Sequence, residues 1–140
     1  MSQYSSLFNS TRLPQQNRDV LYKDETARHL LVIRNGNFYT FDVLDSAGDI
    51  LSPEEIFTCL KYILEKDDKL NTQSLGLLTT ENRDVWAKAR EHITQLSQVN
   101  VNSLKAIDTA VFALCLDDDT VGTSRDKIMR NFLHGDGYTR

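Results

Sequence analysis

The stretch from Arg28 to Asp45 constrains the fold more than any other part of this chain. Leu30 to Ile33 form an unbroken apolar run, and Phe38 to Leu44 are aromatic, β-branched or apolar apart from Asp42. Asn35-Gly36 lies between them, and this dipeptide tolerates the positive φ angles of a tight hairpin turn. With that turn, Arg34 faces Asn37, Ile33 faces Phe38, Val32 faces Tyr39, Leu31 faces Thr40, Leu30 faces Phe41 and His29 faces Asp42. Side chains alternate along a strand, so Leu30, Val32, Tyr39, Phe41 and Val43 share one face, and Leu31, Ile33, Phe38 and Thr40 share the other. Both faces are largely apolar. A pair of interior strands covered on both sides fits this pattern better than a one-sided surface hairpin.

The other segments read as elements packed around that pair. Ser52 caps a helix that has Pro53 in its first turn and Glu55 in the position that closes a capping box. Ile56, Leu60, Ile63 and Leu64 continue it on one stripe to about Glu65, and Lys66-Asp-Asp-Lys69 is expected to end it in solvent. Leu75 to Leu78 has the length and character of a short buried strand. Thr79 or Thr80 can then cap a helix with Glu81 and Asp84 in its acidic first turn and Trp86, Ala89, Ile93 and Leu96 at helical spacing. Asp84 and Lys88 are placed for an i,i+4 pair. Asn100 and Asn102 interrupt the pattern, and Ser103 to Thr109 form a brief helix. Ala110 to Leu116 is a second strand candidate, and a last helix from about Ser124 to Leu133 buries Ile128, Met129, Phe132 and Leu133. Gly135 is well placed to end it in a left-handed turn.

Residues 1–27 carry little periodicity. Pro14 favours extended geometry at Leu13, and Asn9, Ser10 and Thr11 prefer local backbone bonds to a helix. They read as an extended arm, with residues 28–140 as the domain it lies against. Strands and helices are interspersed, so the fold class is mixed α/β, helices on a small mixed sheet.

A chain of 140 residues forms one ordinary domain. Its net charge of -4 and the absence of any Lys/Arg cluster argue against nucleic acid as a partner. No apolar run approaches the roughly 20 residues of a membrane span, and the N-terminus has neither a signal nor a transit pattern. Cys59 and Cys115 each lie in an apolar segment and read as buried thiols of a reducing compartment.

The chemistry-bearing residues are sparse. Asp117, Asp118 and Asp119 are consecutive, so on a strand they point to alternating sides and do not converge on a cation. His29 opposite Asp42 has the form of a dyad, yet no nucleophile stands beside it, so a structural cross-strand pair within hydrogen-bonding reach is expected. His92 falls on the polar side of its helix. His134-Gly-Asp-Gly137 reads as a helix end, and its glycines lack the spacing of a phosphate loop. No residue is assigned a catalytic, cofactor-binding or metal role.

Taken together, several segments resemble the choline/carnitine acyltransferases. These are Phe8 to Pro14, Arg28 to Arg34, Gly36 to Tyr39, Phe41 to Asp45, Leu78 to Asp84, Trp86-Ala87 and Leu133 to Gly137, in that family's order and spacing. The wording is closest to its mitochondrial, palmitoyl-transferring branch. The resemblance runs from about Tyr4 to Arg140. It implies a two-domain fold of chloramphenicol-acetyltransferase-like topology, several times longer than this chain. It also implies transfer of long acyl groups between coenzyme A and carnitine, at the matrix side of the mitochondrial inner membrane. The family's general-base histidine follows the His-Gly-Asp-Gly segment, and its coenzyme A and carnitine contacts come later still. The sequence here stops at Tyr138-Thr-Arg140, before the family's Trp-Phe-Asp-Lys stretch, so none of those groups maps onto a residue of this chain. The expectation is a fragment of the N-terminal half that supplies scaffold, is inactive alone, binds no cofactor, and has the rest of the acyltransferase as its partner. The alternative is a truncated, non-enzymatic paralogue acting as a binding module. On the fragment reading a contiguous exposed apolar patch is expected, involving some of Tyr4, Leu7, Phe8, Leu75, Leu77 and Phe132.

Overall fold

A hairpin closed by Asn35 (φ 50°) and Gly36 (φ 74°) forms the centre of the molecule. The computed structural model describes residues 3, 7–67, 69, 71, 81–116 and 124–134, the last four of these by their backbone alone. Strands β3 (His29–Arg34) and β4 (Asn37–Asp42) pair antiparallel in the register read from the sequence, from Arg34 opposite Asn37 to His29 opposite Asp42. They follow the strand pair β1 (Ser10–Gln15) and β2 (Arg18–Lys23). Helices α1 (Pro53–Lys66), α2 (Arg83–Leu96) and α3 (Gln98–Asp108) come next, then β5 (Ala113–Cys115) and α4 (Arg125–His134). β5 joins the other edge of β3 in parallel, pairing Leu31, Val32 and Ile33 with Ala113, Leu114 and Cys115, so the sheet order is β4-β3-β5. The sheet is mixed, as expected, and β3 is its middle strand.

Alternation along β3 sets the layers. Leu30, Val32 and Val43 pack with Ile63 of α1 into the core, and Tyr39, Phe41, Leu44, Ile56, Leu60, Leu114 and Leu116 close around it. Val32 has no exposed surface. On the opposite face Leu31, Phe38 and Thr40 look toward Ser103, Ala106 and Ile107 of α3. Leu31 is buried there as well, so both faces of β3 are used.

The start of α1 follows from its sequence. Ser52 Oγ accepts from Glu55 N at 3.3 Å, and Ser52 N donates to Glu55 Oε2 at 3.0 Å, a closed capping box ahead of Pro53. Ser52→Ala is expected to lower stability by about 1 kcal/mol. Thermal unfolding of that variant beside Ser52→Gly, which loses only a few tenths of a kcal/mol, checks it.

Several expectations are revised. The N-terminal stretch read as an extended arm folds back on itself, with β1 pairing β2 antiparallel through a turn in which Asn17 adopts φ 65°. Pro14 is tolerated because this is a two-stranded ribbon, where a strand has an outer edge on which no N–H is needed. Asn9, at φ 55°, ties the ribbon to the main sheet by donating from its N to Val111 O at 2.8 Å and from Nδ2 to Ala27 O at 3.3 Å. Helix α2 is capped by Asn82, whose side chain accepts from Asp84 N, so Glu81 precedes the helix. Asp84 Oδ1 accepts from Asn17 N at 2.9 Å instead of reaching forward to Lys88. Beside it Arg83 Nε donates to Asp19 Oδ1 at 2.7 Å, which clamps α2 on the ribbon.

Helix α3 begins well before Ser103. Ser97 caps it by accepting from Asn100 N, and Asn100 Nδ2 donates back to Ile93 O at 3.0 Å. An asparagine that reads as a breaker is here the joint between two helices, its side chain satisfied across the junction. Met129 of α4 is 52% exposed instead of buried, and Ile128 is half-buried. Cys115 is exposed on the face of β5 opposite Leu114, which packs on the core, while Cys59 is half-buried, and no disulfide joins them. The strand read at Leu75 to Leu78, the cap at Thr79 or Thr80, Asp117 to Asp119 and the turn at Gly135 lie outside the described residues. So do four of the six patch residues or their side chains, whereas Leu7 and Phe8 are exposed at 66% and 41%. Phe8 stacks edge-to-face on Phe112, with centroids 5.8 Å apart.

Candidate functional site

The most organised polar constellation is where the tip of the β3–β4 hairpin meets the end of α1. Arg34 has the same parity as Leu30 and Val32, so β3 carries its side chain onto the core face. A charge there needs compensation. Asp67, the residue that caps α1 at its C-terminus, supplies it: the two side chains are 10% and 3% exposed, with Arg34 Nε 3.9 Å from Asp67 Oδ2. Arg34 Nη1 also donates to Leu116 O at 3.4 Å. Asn37 Nδ2 donates to Asp67 Oδ1 at 2.7 Å and Asn35 Nδ2 to the Asp67 carbonyl at 3.2 Å. Asn71 N donates to Asn35 O at 2.7 Å. Burial pushes the Tyr39 hydroxyl above its ordinary pKa, and the neighbouring Asp67 carboxylate adds to the shift. The charged run Lys66 to Lys69 points to solvent, yet the Asp67 side chain is buried. The parity of Arg34 was the signal that could have found its partner.

What this cluster does chemically is hold. Its described members are hydrogen-bonded or ion-paired to one another, and among the described residues it contains no nucleophile or histidine. A concavity of about 390 Å³ lies on the far face of the sheet, lined by Leu31, Phe38, Thr40, Asn37, Asn71 and residues of α3. Among the described residues its lining is a few amides and hydroxyls set in apolar walls, with no charged group to orient a substrate. Behind it, Arg90 of α2 donates to Asp108 of α3 at 2.5 Å. Burial pushes the Asp108 carboxyl above its ordinary range, with Arg90 pulling the other way.

The sequence candidates do not converge. His29 and Asp42 are opposed in register, but His29 Nε2 lies 2.7 Å from the Ala106 carbonyl and Asp42 pairs at 3.9 Å with Arg28. The expected cross-strand hydrogen bond is replaced by a bond from the sheet to α3, because backbone pairing fixes the register and leaves the side chain at the start of β3 free to choose its partner. His92 is exposed on α2. Among the described residues no group of three or more His, Cys, Asp or Glu side chains could hold a metal ion. Among them, too, no helix is long and apolar enough to cross a membrane.

The family model described as Choline/Carnitine o-acyltransferase matches residues 1–140. The chain is 52% identical to the mitochondrial carnitine O-palmitoyltransferase 2 of Homo sapiens over 140 residues, which are 100% of this chain and 21% of the human protein. Against the Rattus norvegicus protein of the same name the identity is 50% over 142 residues, with the same coverage. It falls to 30% over 145 residues for the carnitine O-acetyltransferase of Columba livia, covering 98% of this chain and 23% of that protein. The chain thus spans about one fifth of the length of the curated relatives it matches.

Proposed function

The chain belongs to the choline/carnitine O-acyltransferase family, and we propose that it is the part of a mitochondrial carnitine O-palmitoyltransferase that holds the fold of the N-terminal half. One observation carries this reading: identity of 52% to a palmitoyltransferase across the whole chain, against 30% to an acetyltransferase. Residues 28–140 then form part of the enzyme's first domain, in a two-domain, chloramphenicol-acetyltransferase-like fold, and the remainder of the acyltransferase is their partner.

In the whole enzyme, a histidine general base removes the proton from the carnitine hydroxyl, and that oxygen attacks the acyl thioester of coenzyme A. The segment described here contributes position. Its β4-β3-β5 sheet is braced by α1 on one face and α3 on the other, and the Arg34–Asp67 cluster fixes the hairpin tip. None of its histidines is assigned the role of base. His29 is bonded to the Ala106 carbonyl, and His92 stands on the outer side of α2. No residue is assigned to coenzyme A or carnitine, and the place of work is the mitochondrion, as in the named relatives.

The isolated chain is therefore expected to be inactive, lacking both a positioned base and the proximity contribution of two substrate sites. With palmitoylcarnitine and coenzyme A, the purified chain should consume no free thiol above buffer. Turnover abolished by alanine at His29, His92 or His134 would overturn the scaffold reading.

A further inference from the structure

The hairpin tip carries a chemical liability that is independent of the acyltransferase reading. Asn35-Gly36 is the only Asn-Gly pair in the chain. Glycine has no side chain to keep its backbone nitrogen away from the carbonyl carbon of a preceding asparagine side chain. In the folded chain that approach is restrained at three points. Asn35 and Gly36 are held at φ 50° and 74°, Asn35 O accepts from Asn71 N at 2.7 Å, and Asn35 Nδ2 donates to Asp67 O at 3.2 Å. The amide nitrogen that deamidation would expel is the one bonded to the end of α1.

We propose that Asn35 is a deamidation site gated by the C-terminus of α1. When the helix end releases the turn, the Gly36 backbone nitrogen gives up its proton and attacks Asn35 Cγ, the Cγ–Nδ2 bond breaks, and ammonia leaves. Water then opens the resulting cyclic imide at either carbonyl, giving aspartate or isoaspartate. The net exchange is one water consumed and one ammonia released. The product does not fit the closed turn. Where Nδ2 donated to the Asp67 carbonyl there is now an acceptor facing an acceptor, and a new negative charge stands beside the buried Asp67 carboxylate. Isoaspartate also adds a backbone carbon to a two-residue turn. The modification thus disfavours reclosure of the junction that had prevented it.

The test incubates the full chain at mildly alkaline pH in buffer and, in parallel, in concentrated urea. The peptide containing Asn35 is followed by its mass gain and by isoaspartate-specific methylation. Conversion is expected in urea and at least about tenfold more slowly in buffer, which corresponds to a local opening free energy of about 1.4 kcal/mol or more. Asp67→Ala, which loosens the helix end, should speed the reaction in buffer and leave the urea rate unchanged. Gly36→Ala, measured in urea where folding plays no part, should slow it. Equal wild-type rates in buffer and urea would overturn the gating. No conversion in urea, or a Gly36→Ala rate equal to wild type there, would overturn the site itself.

Discussion

Replacing Asp67 with alanine is expected to destabilise the chain by about 3–5 kcal/mol, the usual cost of removing one partner from a buried ion pair. Domains are stable by only about 5–15 kcal/mol, so the loss takes a large share of the total. The effect has two sources. Arg34 is held on the core face of β3 by strand alternation, with its side chain 10% exposed, so its guanidinium cannot retreat to water when the carboxylate goes. Asn37 Nδ2 loses its charged acceptor at 2.7 Å. Asp67→Asn, which keeps an acceptor for Asn37 but not the charge, should fall between alanine and wild type. The double variant Arg34→Met, Asp67→Leu should be less destabilised than Asp67→Ala, because apolar groups of similar volume remove both desolvation costs. Urea midpoints at unchanged m-value report the differences. A loss below about 1 kcal/mol for Asp67→Ala, the range of exposed pairs, would show that the cluster is peripheral.

Gly36→Ala should cost nearly as much, about 2–4 kcal/mol, from left-handed backbone strain and steric overlap together. A Cβ at Gly36, where φ is +74°, would lie 2.8 Å from the backbone oxygen of Asn71. That oxygen is not the end of a flexible side chain. The Asn71 backbone is already bonded to Asn35 O, so relief requires moving the segment that braces the turn. Gly48 is the control: its φ is +90° and nothing lies within 4 Å of the same added atom, so Gly48→Ala should show only the strain, about 1–2 kcal/mol. Similar losses at the two sites would remove the steric part of the argument.

The parts of this fold legible in the sequence are those governed by neighbours along the chain. The register of β3 and β4 follows from Asn35-Gly36 because a two-residue turn leaves one pairing available. The start of α1 follows from Ser52, Pro53 and Glu55 because the whole box lies within one helical turn. What was missed depends on partners distant in sequence. Asp67 is drawn out of solvent by Arg34 and Asn37, thirty or more residues earlier. Asp84 gives up its local partner Lys88 for the backbone of Asn17. His29 keeps its register with Asp42 yet bonds to α3, since pairing fixes the backbone and leaves the imidazole to find its own acceptor. Asn100 sits inside a helical junction because Ile93 offers a carbonyl that no pattern of propensities encodes.

The central claim is that this chain supplies the scaffold of a carnitine palmitoyltransferase, and exchange into a relative tests it most directly. The 140 residues aligned in the human mitochondrial carnitine O-palmitoyltransferase 2 are replaced by this chain, and palmitoyl transfer to carnitine is measured on the purified chimera. The account predicts a folded chimera that still transfers palmitoyl groups and loses that activity together with its stability when Asp67 is changed to alanine. A chimera that folds with native-like thermal stability but transfers no palmitoyl group would contradict it.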